Sequence, residues 1–154
     1  MGAAIKGSNA FGPAFHGFRW TPAGGLRDLG VTTGTESIAT AISANGSVIV
    51  GEARDVNGFG RAFRWTASTG MQDIGTLGGP ESAAFAGNKD GTVVVGTSLT
   101  SGSTGSNHCF IWTAKTGMQD LKTVLQAAGV HTADKCQRLT LRGRGVFRRG
   151  RCEL

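Results

Sequence analysis

Phe18-Arg19-Trp20-Thr21 returns as Phe63-Arg64-Trp65-Thr66 and again as Phe110-Ile111-Trp112-Thr113. The tryptophans stand 45 and then 47 residues apart. Each is followed by a turn and a short run of mixed polarity: Gly25-Leu26-Arg27-Asp28-Leu29, Gly70-Met71-Gln72-Asp73-Ile74 and Gly117-Met118-Gln119-Asp120-Leu121. A period in this range marks a solenoid, a propeller or a similar array, in which no unit buries its own apolar face alone.

The middle unit reads most clearly. Ala62 to Thr66 alternates and is rich in aromatic and β-branched types, as a strand requires, so Phe63 and Trp65 share one face. Ala67-Ser68-Thr69-Gly70 is a turn, and Met71 to Ile74 returns as the second arm of a hairpin. Gly75 to Pro80 reads as a loop and Ser82 to Ala86 as a third strand. Asn88-Lys89-Asp90-Gly91 is a hairpin turn, because Asp-Gly tolerates the left-handed backbone such turns need. Thr92 to Gly96 is apolar at successive positions, which predicts a fourth strand buried on both faces.

The first unit follows at a constant offset: Ser37 matches Ser82, Asn45-Gly46 matches Asp90-Gly91, and Gly51 matches Gly96. Length varies only between that last glycine and the next Phe-x-Trp. Ser98 to Asn107, rich in Ser, Thr and Gly, reads as a flexible surface loop. Insertions at one fixed point of a repeat put the variable loops on one side of the assembly.

The expected fold is therefore all-β, with repeats of about 45 residues and four short antiparallel strands in each. It is a partial β-propeller-like arrangement, with a β-solenoid as the alternative. Three units fall short of the ~4–8 blades that close a propeller. Ala4-Ile5-Lys6-Gly7 resembles the end of an earlier fourth strand. The chain divides accordingly: 1–15 as the end of a preceding repeat and a linker, 16–51 and 52–96 as two repeats, 97–134 as a partial third, and 135–154 as a basic tail without a fixed fold.

The net charge of +6 over 154 residues belongs to that tail. Basic and acidic residues balance from Met1 to Asp134, whereas Lys135 to Leu154 holds seven basic residues against Glu153. A nucleic-acid reading of the overall charge is thus a reading of the tail alone. The tail also breaks the repeat pattern. Three accounts stay open: translation out of frame, a divergent terminal repeat and a genuine basic tail. No apolar stretch approaches the ~18 residues of a membrane helix, and the first residues carry no signal-peptide core.

The Phe-x-Trp copies, with the residues before them, resemble the His-Ala-Phe signature of the HAF-repeat family of bacterial extracellular-repeat proteins. The copies are His16-Gly17-Phe18-Arg19-Trp20, Arg61-Ala62-Phe63-Arg64-Trp65 and His108-Cys109-Phe110-Ile111-Trp112. Gly70 to Gly79 and Ile42 to Gly51 look like the family's other two motifs, and the resemblance spans roughly residues 5 to 134. No copy keeps the signature whole: glycine, arginine or cysteine replaces one member in each. The resemblance implies a secreted or cell-surface protein, often an autotransporter passenger, that meets a membrane only through a further domain. It implies no catalytic residues.

Phe18, Trp20, Phe63, Trp65, Phe110 and Trp112 are expected to pack between repeats in preference to forming an exposed ligand platform. Asp28, Asp73 and Asp120 are expected to hydrogen-bond across their hairpins, because a lone repeated aspartate lacks the several oxygens calcium needs. Gly75 to Gly79 lacks the lysine and the helix of a phosphate loop. His16, His108 and His131 are scattered, and Cys109, Cys136 and Cys152 have no metal-site spacing. No catalytic, metal or cofactor site is expected. The resulting expectation is a non-enzymatic module for display or adhesion through the loops after Gly51 and Gly96, partnered by neighbouring repeats. Three alternatives remain: a propeller-type hydrolase or lyase, recognisable by convergent carboxylates in one pocket; a binder of nucleic acid or anionic surfaces through the tail; and a degenerate product without function.

Overall fold

The computed structural model describes residues 2–9, 12–102 and 107–130. The basic tail, His131, Cys136 and Cys152 lie outside the described residues. Eleven strands precede one short helix: β1 (Gly2–Asn9), β2 (Gly12–Thr21), β3 (Gly25–Asp28), β4 (Ser37–Ile42), β5 (Val48–Arg54), β6 (Gly60–Thr66), β7 (Gly70–Asp73), β8 (Gly78–Gly87), β9 (Val93–Thr100), β10 (Asn107–Thr113), β11 (Gly117–Asp120) and α1 (Leu121–Ala127). They form three antiparallel sheets in the orders β1-β2-β3, β4-β5-β6-β7 and β8-β9-β10-β11. Strands follow one another in chain order in every sheet, and none closes into a barrel.

The three Phe-x-Trp hairpins share one register. Trp20 stands opposite Leu26, Trp65 opposite Met71 and Trp112 opposite Met118, with a glycine closing each turn opposite threonine. Sheets and sequence units are out of phase, however. The first two units, counted from their Phe-x-Trp, each give a hairpin to one sheet and the next two strands to the following sheet, and the third gives its hairpin to the third sheet and runs on into α1. Covalent linkage therefore crosses every sheet boundary.

The core lies in two seams between sheets. One joins Leu29 of the first sheet's edge to Ile49, Ala53, Phe63 and Trp65 of the second, with Ala39 and Met71 beside them. The other joins Val48, Val50, Ala62 and Ile74 of the second sheet to Ala84, Val94 and Phe110 of the third, with Trp112 and Met118 against it. The second sheet is thus covered on both faces, and Val48, Ile49 and Val50 are all buried. In the third sheet only Val94 of the matching triplet is buried. Val93 is half-buried and Val95 is exposed. The expectation of burial on both faces holds for the first copy and fails for this one, because among the described residues no further sheet follows the third.

Glycine is required where strands and seams approach closest. A Cβ on Gly96 would run into the Ala83 carbonyl and stand 2.8 Å from Phe110 Cε1. Gly91, at φ +68°, takes a backbone that L side chains rarely adopt, and a Cβ there would meet Val48 of the preceding sheet at 2.5 Å.

Two strands run longer than their composition suggests. β8 starts at Gly78, inside the stretch read as a loop, and β9 continues to Thr100 through the stretch read as a flexible loop. Ser98 in that stretch is fully buried. Its hydroxyl accepts from the Leu77 N–H at 2.9 Å and lies 3.1 Å from the Glu81 carbonyl, so a low-complexity residue serves as an internal tie.

Candidate functional site

The described residues present three places where chemistry-bearing side chains converge: the hairpin ends, the seams, and one cleft. At each hairpin end the repeated aspartate meets the residue two places before phenylalanine. His16 Nδ1 lies 3.0 Å from Asp28 Oδ1, Arg61 Nε donates to Asp73 Oδ2 at 2.9 Å, and His108 Nδ1 lies 2.6 Å from Asp120 Oδ2. An oxygen of each carboxylate also accepts a backbone N–H two residues on, from Gly30, Gly75 or Lys122. In the third copy this second role becomes the N-cap of α1, where Asp120 also accepts from Thr123 N–H. Burial pushes the Asp120 carboxyl up, but hydrogen bonds from His108, Thr123 and Lys122 outweigh it and hold the group below its ordinary value. Arginine replaces histidine in the middle copy because the position needs a donor to aspartate, and both side chains supply one. The sequence carries a signal for this pairing: basic residue and aspartate are 12 apart in every copy.

A serine ties each seam. Ser37 Oγ accepts from the Gly17 N–H at 3.0 Å and donates to the Gly30 carbonyl at 2.6 Å. Ser82 Oγ does the same with Ala62 N–H at 2.9 Å and the Gly75 carbonyl at 2.7 Å. The need arises because the carbonyls of Gly17 and Ala62 are used by Leu29 and Ile74, just past the ends of the short strands β3 and β7. The N–H groups of Gly17 and Ala62 would otherwise be buried without a partner.

The expected packing of the aromatic pairs is met unevenly. Phe63, Trp65 and Phe110 are buried, Trp112 is half-buried against the second seam, and the Arg27 guanidinium lies 5.2 Å from the Trp65 ring centroid. Phe18 is half-buried, and Trp20 is 57% exposed against 2% for Trp65. Leu26, opposite Trp20, is exposed too. The first sheet therefore carries a seam-type face that no described residue covers.

The cleft lies between the second and third sheets. It is half open to solvent, has a volume of about 330 Å³, and is lined by Glu52, Arg54 and Gly60 from one sheet and by Glu81, Ser82, Ala83, Phe85, Thr97 and Asn107 from the other. Arg54 and Gly60 flank the turn after Gly51, and Asn107 opens the strand after the longer loop. The β5–β6 turn and the first residue of β10 thus both border it. Register skips one residue between Ala84 and Ala86, so Phe85 sits at a β-bulge, a device that re-aims a side chain. Arg54 is committed: its Nε donates to Glu36 at 2.9 Å and its Nη1 to the Gly58 carbonyl at 2.7 Å. Glu52 has no hydrogen-bond or ion-pair partner among the described residues. Burial raises its carboxyl above the ordinary value, Arg54 opposes this, and Glu81 adds to it. None of these residues stood out in the sequence, since they lie in different units and only the sheet contact brings them together.

Among the described residues no group of three or more His, Cys, Asp or Glu could hold a metal ion, and no helix is long and apolar enough to cross a membrane. Cys109 is exposed with a free thiol. No family model, curated protein or solved structure matches the chain.

Proposed function

We propose that this chain is a non-enzymatic β-repeat module of a bacterial secreted or cell-surface protein. It stacks with neighbouring repeats in a propeller-like array and displays the variable connections at one end of its sheets. The observation that carries the reading is the contrast between Trp20 and Trp65. The same side chain in the same hairpin register closes a seam in one place and stands 57% exposed in the other. A face built to the seam pattern suits a partner of the same pattern, as array architecture requires. The three-motif resemblance to extracellular-repeat proteins supplies the location.

The test is immunodetection of the native product with antibodies raised against the folded chain. Labelling of intact cells, with a blotted product well above 15.8 kDa, is the expected result. A product of that size found only after permeabilisation would overturn the reading.

A hydrolase or lyase acting in the cleft is the second reading, favoured by the two carboxylates there and by the raised Glu52, which has the character of a general acid. It ranks second because a catalytic acid must be held in place, and among the described residues no hydrogen bond orients Glu52. Turnover of an aryl glycoside or ester that disappears in Glu52→Gln would reverse the ranking.

A further inference from the structure

The first sheet has three strands where the other two have four. In the complete sheets β4 pairs with the outer edge of β5, and β8 with that of β9. Among the described residues nothing pairs with the same edge of β1. We propose that β1 accepts an added antiparallel strand there. Its occupant is an extended segment of the β4 and β8 type, with serine opposite Ala4 and a small residue opposite Gly2.

The register carries the proposal. Gly2 stands opposite Phe18 as Gly51 stands opposite Phe63 and Gly96 opposite Phe110. The two later glycines admit the strand beside them. A Cβ on Gly51 would run into the Ile38 carbonyl of β4, and one on Gly96 into the Ala83 carbonyl of β8. The phenylalanine ring comes next, at 2.8 Å in both sheets. β1 thus keeps glycine where an incoming backbone makes the closest approach. The residue two places on is small in every copy. Ala53 and Ser98 are fully buried opposite Ser37 and Ser82, and Ala4 is their counterpart. The rest of the edge is guarded. The paired register ends at Ala53 in one complete sheet and breaks after Ser98 in the other. Just past the matching point β1 bulges between Ile5 and Gly7, at Lys6. A bulge and a lysine are devices that keep foreign strands off an edge. β1 is therefore open over the stretch that the complete sheets use and blocked beyond it. Main-chain hydrogen bonds would supply the affinity and the small residues the register, as in other strand additions.

The inference rests on the array part of the reading above and not on where the protein resides. Strand binding is measured on the purified chain and location on intact cells, so either can fail alone. The probe is a synthetic peptide with the β8 sequence, Gly78–Gly87. It is titrated into the ¹⁵N-labelled full chain while the amides of Ala3, Ala4 and Ile5 are followed. The expected result is saturable shifts at a Kd on the order of 1 mM. A peptide with Ala83→Pro and Ala84→Pro together should give none. Successive N–H groups point to opposite edges, so the two prolines remove whichever donor faces β1. In the chain, Gly2→Val should weaken binding about tenfold or more. Ala3→Thr should bind as the parent does, because the complete sheets carry Glu52 and Thr97 at that position. Equal shifts from the proline peptide, no shifts at all, or unchanged binding to Gly2→Val would overturn the proposal. So would shifts confined to Val95, Gly96 and Thr97, since the peptide would then have replaced β8 in its own sheet. Shifts at Ala3 to Ile5 that follow chain concentration with no peptide added would assign the edge to a second copy and overturn it too.

Discussion

Replacing Ser82 with alanine tests how the sheets are held together. The Ser82 hydroxyl is buried, accepts from the Ala62 N–H at 2.9 Å and donates to the Gly75 carbonyl at 2.7 Å. Alanine removes one oxygen and leaves a buried N–H with no partner, which costs about 1–3 kcal/mol, and losing the bond to the carbonyl adds about 1 kcal/mol. The total, about 2–4 kcal/mol, is a large part of the ~5–15 kcal/mol that holds a domain folded. With a urea slope of about 2 kcal/mol/M the midpoint should fall by roughly 1–2 M. Urea unfolding followed by tryptophan fluorescence measures this, and hydrogen exchange should show the Ala62 amide losing protection. Ser68→Ala, an exposed change in a hairpin turn, serves as the control and should stay within about 0.5 kcal/mol. Ser37→Ala should repeat the loss at the first seam, and the two should add because they share no partner. A Ser82→Ala midpoint matching the Ser68→Ala control, at unchanged slope, would refute the clamp argument.

Three other outcomes are expected. Trp65→Ala should destabilise by about 3–5 kcal/mol, whereas Trp20→Ala in the isolated chain should stay within about 1 kcal/mol, both read from chemical denaturation. Burial raises the Glu52 carboxyl in the folded state. The stability that its proton contributes is therefore present below the unfolded value near 4.3 and is lost as pH rises through the folded value. Glu52→Gln should consequently melt higher than the parent at pH 7, with the gap closing below about pH 4; equal melting at pH 7 would contradict the sign. Asp120 runs the other way, being lowered. Its contribution is present above the unfolded value near 3.9 and lost as pH falls through the folded value. Asp120→Ala should cost about 1–2 kcal/mol at pH 7 through the lost cap, and the difference from the parent should shrink in acid.

The strands and turns were legible because they depend on neighbours in sequence. Phe63 and Trp65 share a face by alternation, and Asp90-Gly91 turns because of its own backbone preference. The cap of the helix after Asp120 extends the role of the repeated aspartate. What escaped depends on partners far along the chain. Ser98 looks like loop composition until its hydroxyl is seen under Leu77. Val93 to Val95 repeat Val48 to Val50 almost letter for letter, yet differ in burial because only the earlier strand has a sheet on each side. Glu52 and Glu81 sit 29 residues apart with nothing in their spacing to join them. They meet only because β5 and β8 come together across the seam.

The half-unit offset between sheets and sequence repeats has a consequence for how such a chain can change length. Both junctions use the same pair of faces, the same serine tie and the same backbone donor and acceptor, each displaced by 45 residues. Excising or duplicating a segment of that length between any two equivalent points would rejoin one unit's hairpin to another's opening strands and recreate an interface already present. Gene-level slippage would thus change the number of sheets without requiring a new junction to be invented, whichever point in the unit the break happened to fall on.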